Sequence, residues 1–216
     1  MLRLIIISLF TFTILASDGV VLFVKGGASI GKVALKKGSE VSFNSTITTD
    51  KNSLIVIKFT DGTTIKVNGD SEVFLKSFSN GASGTEISVR KGSSFFNYIK
   101  RKIVKDSIPL RVTTRTASMG VRGTTFFVAV NEIKNNTDTW MCVKEGIVSS
   151  TSLSTKQTKD VKAGEGIKIS SNDRLTAPRF LPWTKALNWK LDGQEGLENN
   201  LDIKEAYEDI LTIDYE

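Results

Sequence analysis

The sequence predicts an all-β fold, solenoid-like or roll-like, with a β-sandwich as the alternative and a short helical appendage at the C-terminus. Three observations lead there. Strand patterns separated by turn dipeptides run almost without a break over residues 19–170. The composition is rich in Gly (17), Ser, Thr, Val and Ile and holds only 3 Pro, which suits short strands and tight turns. A short element, a charged or small residue followed by Gly and then a strand, recurs at Lys37-Gly38, Lys91-Gly92, Glu145-Gly146 and Ala163-Gly164. That recurrence hints at stacked rungs.

The elements follow in order. Val20 to Val24 is apolar and β-branched, and Gly26-Gly27 breaks it. Ile30, Val33 and Leu35 precede the Lys37-Gly38 turn, which leads to Val41 and Phe43. Leu54 to Phe59 is nearly continuous in apolar residues, as expected of a strand buried on both faces. Asp61-Gly62 is a hairpin signal, after which Ile65 and Val67 share one face. Asn68-Gly69-Asp70 turns into Val73-Phe74-Leu75. Residues 77–85 read as a loop, and Ile87 and Val89 alternate with polar neighbours. The stretch from Phe95 to Val104 mixes aromatics with Lys100-Arg101-Lys102 and fits no single state. Leu110, Val112 and Thr114 share a face, Asn131 to Asp138 reads as a polar loop, and Trp140 to Val148 holds two strand fragments around Glu145-Gly146. Residues 149–160 are rich in Ser, Thr and Lys and read as exposed. Val161, Ile167 and Ile169 close the β region. Beyond it, Pro182 is placed to open a short helix through Trp183, Leu187 and Trp189. Leu197, Leu201, Ala206 or Tyr207, and Ile210 roughly follow helical spacing.

Composition narrows the function. The chain of 216 residues has no His, which removes the commonest general base and the commonest metal ligand. Its one cysteine, Cys142, sits in an apolar run and reads as a buried inert thiol; an intermolecular disulfide or a reactive thiol is the alternative. No cofactor is expected. Arg3 followed by an apolar run from Leu4 to Leu15 and the small pair Ala16-Ser17 reads as a secretory signal peptide over residues 1–17, with an uncleaved anchor as the alternative. No Cys follows that run, so no lipoprotein anchor is expected. The domain reading is therefore a signal peptide at 1–17, a β domain at 18–176 and an acidic tail at 177–216. Residues 192–216 carry nine acids and one base, a net charge of −8, against +6 for the whole chain. A basic body with an acidic tail means a face for an anionic partner, a merely solvated surface, or a tail folded back on the body.

The most informative segment runs from Ala117 to Val130. Gly120 and Gly123 bracket Val121-Arg122, and Thr124, Thr125, Phe126, Phe127, Val128 and Val130 follow. The glycines are expected to supply backbone angles closed to other residues. Arg122 is expected to tie the turn by donating to nearby carbonyls, with a ligand role as the alternative. Thr124 suits a strand start, and Phe126 and Val128 are expected in the core. Gly120-Val121-Arg122-Gly123-Thr124 with Phe126 resembles the signature of the FecR domain, a periplasmic all-β module. So do Leu35 to Val41, Leu54 to Ile65, Asn68 to Val73, Arg111 to Ala117 and Val143 to Val148. The resemblance covers roughly Lys32 to Ile169.

The best-known members of that family are iron-transport regulators with a cytoplasmic anti-sigma segment, a transmembrane helix and a module that meets a receptor. Here about three residues precede the hydrophobic run, and the acidic tail does not look like the receptor-facing module. The resemblance therefore implies the exported, stand-alone form of the domain. The expected role is a non-catalytic binding or scaffold module of the periplasm or cell surface, meeting an envelope or membrane protein or an anionic wall polymer, and no nucleic acid. The alternative is a periplasmic component of a transmembrane signalling system. Trp183 and Trp189 either pin the C-terminal segment to the body or anchor an interface. An enzymatic reading would need a carboxylate pair such as Asp61 and Asp70 to face one another in a cleft.

Overall fold

The structure, a computed structural model, describes residues 17–77, 84–98, 110–133, 136–171, 175–194 and 196–197. The hydrophobic part of the expected signal peptide, the Lys100-Arg101-Lys102 stretch and the expected helix from Leu201 to Ile210 lie outside the described residues.

Among the described residues seventeen strands form one hydrogen-bonded network folded into two facing layers. The N-terminal half contributes β1 (Gly19–Lys25), β2 (Ala28–Ile30), β3 (Val33–Ala34), β4 (Glu40–Val41), β5 (Ser45–Thr49), β6 (Leu54–Phe59), β7 (Thr64–Val67), β8 (Ser71–Ser77) and β9 (Thr85–Asn97). The C-terminal half contributes β10 (Leu110–Thr113), β11 (Ala117–Val121), β12 (Thr125–Ile133), β13 (Asn136–Glu145), β14 (Ile147–Ser152), β15 (Thr158–Lys162), β16 (Glu165–Ser170) and β17 (Arg179–Phe180). The register gives the first layer the order β4-β1-β6-β7-β9-β12-β13-β16-β17. The second layer runs β3-β2-β5-β8-β9-β10-β11-β14-β15. Strand β9 belongs to both: Thr85 to Lys91 pairs in the second layer, and Gly92 to Asn97 in the first. Only the β9–β10 pair is parallel.

The architecture is a roll of bent strands. In the N-terminal half, β1–β2, β5–β6, β7–β8 and the two arms of β9 each cross between layers at the end marked by Gly92. In the C-terminal half, β11–β12, β13–β14 and β15–β16 cross at the opposite end, marked by Gly123. The recurring Gly elements are these crossings. Gly38, Gly92, Gly146 and Gly164 all lie where the chain leaves one layer for the other, at φ of 86°, 76°, 85° and 85°. The stacked rungs hinted at by the sequence are stacked corners. A Cβ on Gly146 would sit 2.6 Å from the Gly123 carbonyl oxygen. One on Gly92 would sit 2.7 Å from the Asp70 carbonyl oxygen. Those two corners therefore need their glycine for close backbone approach as well as for φ, whereas an added Cβ on Gly38 or Gly164 would meet nothing within 4 Å and there φ alone favours glycine.

The main core fills the space between the layers. Ile55, Ile57, Ile65, Phe96, Phe126, Val128 and Met141 from the first layer meet Ile47, Val73, Leu75, Ile87, Val89, Val112, Met119 and Val148 from the second. Phe96 and Phe126 stack with centroids 5.0 Å apart. Buried hydroxyls close the ends. At the Gly92 end, Thr49 Oγ1 donates to the Asn68 carbonyl at 2.6 Å, and Asn68 Nδ2 donates to Ser93 Oγ at 2.8 Å. In the C-terminal half, Thr116 Oγ1 donates to Thr139 Oγ1 at 2.7 Å and lies 3.0 Å from the Ile169 carbonyl; Thr114 and Thr139 hydroxyls are 2.8 Å apart.

Several sequence expectations are corrected. The polar Asn131 to Asp138 segment is a hairpin arm, with Asn131 opposite Asp138 and Ile133 opposite Asn136. Polar residues pair across these strands where no core demands apolar ones. Ser150 and Ser152 are fully buried in β14 although their surroundings read as exposed. Among the described residues the helical appendage reduces to one 3₁₀ turn at Pro182–Ala186, with Pro182 in its first turn. Leu187 to Gln194 and Gly196-Leu197 are irregular, and Gly193 and Gly196 take φ of 74° and 77°, which a continuing helix excludes.

Candidate binding face

Each layer has an outer face, and the two are treated differently. On the first layer, Phe95, Phe127, Ala129, Trp140 and Cys142 point outward, and Leu181, Leu187, Trp189 and Leu191 pack over them. Further along, Leu197 covers Leu54 and Val56, beside Leu22 and Phe23. This explains why Leu54 to Phe59 reads as buried on both faces: Ile55 and Ile57 meet the core, and Leu54 and Val56 meet the C-terminal segment. Lys66 anchors the cover. It is fully buried, its Nζ donates to the carbonyls of Asn188 and, at 3.2 Å, Leu197, and it lies 4.1 Å from the centre of the Phe95 ring. Trp189 meets Phe95 edge-on at 5.3 Å and donates from Nε1 to the Thr184 carbonyl at 3.0 Å. Trp189 thus sits inside the cover; the side chain of Trp183 lies outside the described residues. Cys142 is fully buried beneath the cover, and desolvation pushes its thiol pKa far above the ordinary value of 9.0.

The outer face of the second layer carries no such cover among the described residues. Alternation along each strand turns small and hydroxyl residues outward. The register aligns Thr46, Phe74, Ser88, Thr113, Ser118, Thr151 and Thr158 in one row across seven strands. The next row runs Glu86, Arg111, Gly120, Ser149, Asp160. At one end a polar groove is lined by Glu72, Arg90, Lys91, Thr114, Arg115 and Glu132 among others. Its charges are matched: Arg90 pairs with Glu72 at 3.0 Å, Lys91 with Asp70 at 2.5 Å, and Arg115 with Glu132. The Arg90 guanidinium also lies 4.5 Å from the Phe74 ring centre.

The signature residues span both the corner and this face. Gly123 takes φ 66° at the corner, as expected. Gly120 does not share that role: it sits within β11, outside the left-handed region, between Arg111 and Ser149 on the outer face. Val121 and Phe126 are buried in the core, and Thr124 is buried at the corner with its Oγ1 unbonded. Arg122 is exposed and makes no hydrogen bond or ion pair with a described residue, so the expected tie to nearby carbonyls is not formed. Sequence reasoning missed the face itself. Its signal is the alternation of Ser118 and Gly120 with buried Met119 and Val121, matched by Ser149 and Thr151 beside Val148 and Ser150.

The carboxylate pair that an enzymatic reading required is not formed. Asp61 and Asp70 flank β7 at its opposite ends. Asp61 accepts from the Thr63 N–H at 2.7 Å and from the Thr85 hydroxyl at 3.1 Å, and Asp70 pairs with Lys91. Among the described residues no group of three or more acidic, Cys or His side chains is arranged to hold a metal ion.

Comparison with known proteins agrees with this architecture. Residues 45–149 match the family described as FecR protein, from β5 into β14, a narrower span than the resemblance read from the sequence. No curated protein matches the chain. Two crystal structures of a "putative anti-sigma factor" from Parabacteroides distasonis ATCC 8503, at 1.65 and 2.50 Å resolution, share the fold with a TM-score of 0.53 and 19% identity. The likeness covers 65% of this chain and 63% or 62% of those chains, less than two thirds of their length. The roll of bent strands between residues 45 and 149 is a FecR domain.

Proposed function

We propose that this protein is an exported, non-catalytic binding module of the bacterial cell envelope, and that the outer face of its second layer is the working surface. One observation carries the reading. The chain spends its own C-terminal segment on covering the apolar outer face of the first layer, and leaves the polar outer face of the second layer bare among the described residues. A bare row of seven strands beside a covered face is where a partner has room to bind. The expected partners are an envelope protein or an anionic wall polymer. Export rests on the hydrophobic run from Leu4 to Leu15 with Ala16-Ser17 behind it.

The test is retention of envelope components by immobilised residues 18–216, compared with the variant Thr151→Trp, which raises a bulky ring from β14, one strand in from the β15 edge of the bare face. The reading expects a component that wild type retains and the variant loses while melting as wild type does. Equal retention by both would move the working surface elsewhere. A second reading, a periplasmic component of a transmembrane signalling system, is favoured by the fold shared with chains named as anti-sigma factors. It expects the retained component to be a membrane protein that survives moderate salt.

A further inference from the structure

Three cations border one part of the bare face. Arg111 projects outward from β10, between buried Leu110 and Val112. Arg122 is exposed at the rim, directly after Val121 ends β11. Lys162 ends β15 opposite Ile147, next to buried Val161. None of the three side chains makes an ion pair or hydrogen bond with a described residue. The nearby acids leave them unmatched. Glu86, the cross-strand neighbour of Arg111, is taken by Lys76 at 3.0 Å. Glu165 accepts from the Lys162 backbone N–H at 2.9 Å. Asp160 stands in the face and Glu145 is exposed at the neighbouring corner. Between the cations the floor is low: Gly120 and Ser149 lie side by side, with Ser118 and Thr151 in the adjoining row. The absent side chain of Gly120, which its backbone angle does not require, is what keeps that floor open between Arg111 and Ser149.

Resting on the proposed binding role of this face, we infer that its ligand is an anionic glycan, gripped by Arg111, Arg122 and Lys162 over the floor of Ser118, Gly120, Ser149 and Thr151. Charge complementarity selects an anion, since the unmatched guanidinium groups suit carboxylate or phosphate. The floor selects a sugar polymer, because each hydroxyl offers one donor and two acceptors to a ligand made of hydroxyls. Arg111 and Lys162 stand on the first and last of four adjacent strands, three spacings or about 15 Å apart, so the cations are spread along a chain-like ligand rather than focused on one small ion. Three dispersed cations fall short of the dense phosphate contacts that nucleic acids require. Ile147, half exposed, is the large apolar side chain at this site, too little for the buried anchor of a protein interface.

The experiment titrates residues 18–216 with polygalacturonate, neutral dextran and phosphatidylglycerol vesicles at low and moderate salt. Wild type is expected to bind the polyuronate, weakly at moderate salt, and not the dextran. Arg111→Gln with Lys162→Gln is expected to weaken binding at least about tenfold, and Gly120→Val, which suits a strand, is expected to block it with an unchanged fold by circular dichroism. Lys36→Gln with Lys37→Gln, the same charge change at an exposed crossing elsewhere, is expected to bind as wild type. Equal losses in both double variants, equal binding of dextran, or binding of vesicles alone would each overturn the inference. If no polyuronate binds yet Thr151→Trp still abolishes envelope retention, the ligand class is wrong and the working face stands.

Discussion

Gly146 shows how much of this fold rests on single residues. It holds φ 85°, and an added Cβ would meet the Gly123 carbonyl oxygen at 2.6 Å and Thr124 Cγ2 at 2.5 Å. Backbone atoms cannot yield as a flexible side chain can. Gly146→Ala is expected to cost roughly 1–3 kcal/mol, read as a lower denaturation midpoint in urea at unchanged slope. Gly120 is the contrast, for it lies outside the left-handed region and its value is the space it leaves. Cys142 makes the other residue-level prediction. Its thiol is fully buried and its pKa is raised by desolvation. A thiol reagent at pH 8 is expected to label it only after unfolding. As pH rises past the ordinary value of 9.0, the unfolded chain loses this proton and the native one keeps it, so stability is expected to fall. Cys142→Ser is expected to remove that part of the alkaline decline.

At the scale of elements, strands were legible wherever apolar alternation met a turn signal. Leu54 to Phe59, the Asp61-Gly62 turn and the Thr63 to Val67 strand are found as β6, a hairpin and β7. The arm from Asn131 to Asp138 was not, because cross-strand pairing between polar residues, even where Asp138 is buried, leaves no apolar mark. The C-terminal cover was misread for the opposite reason. Leu187 and Trp189, read with Trp183 as one short helix, are spaced by the sheet face they cover. Corner glycines were visible as a repeat, but their partners were not, since Gly92 meets Asp70 and Ser71 only after the chain has folded back. The cover is held by Leu187, Trp189 and the Lys66 bonds to the Asn188 and Leu197 carbonyls. Leu187→Ala is expected to cost about 2–4 kcal/mol in the stability of the cover and to bring early proteolytic cleavage between residues 187 and 197, with β1 to β16 resisting.

Across the whole molecule, the two halves bend at opposite ends and share β9, so the layers close over one core. The FecR domain supplies β5 into β14; β1 to β4 extend one side, and β15 to β17 with the cover extend the other. Among the described residues these additions cover one outer face and leave the other open. Net charge is divided along the sequence, with −8 on residues 192–216 and +6 on the chain as a whole. The proposal of a working surface therefore depends on the asymmetry of the two faces more than on any single side chain. The most direct measurement places a photo-crosslinking amino acid at Thr151, on β14 within the bare face, or at Phe180, on the edge of the covered layer, in residues 18–216 exposed to intact envelopes. The account predicts an adduct from position 151 and none from position 180; an adduct from position 180 alone would contradict it.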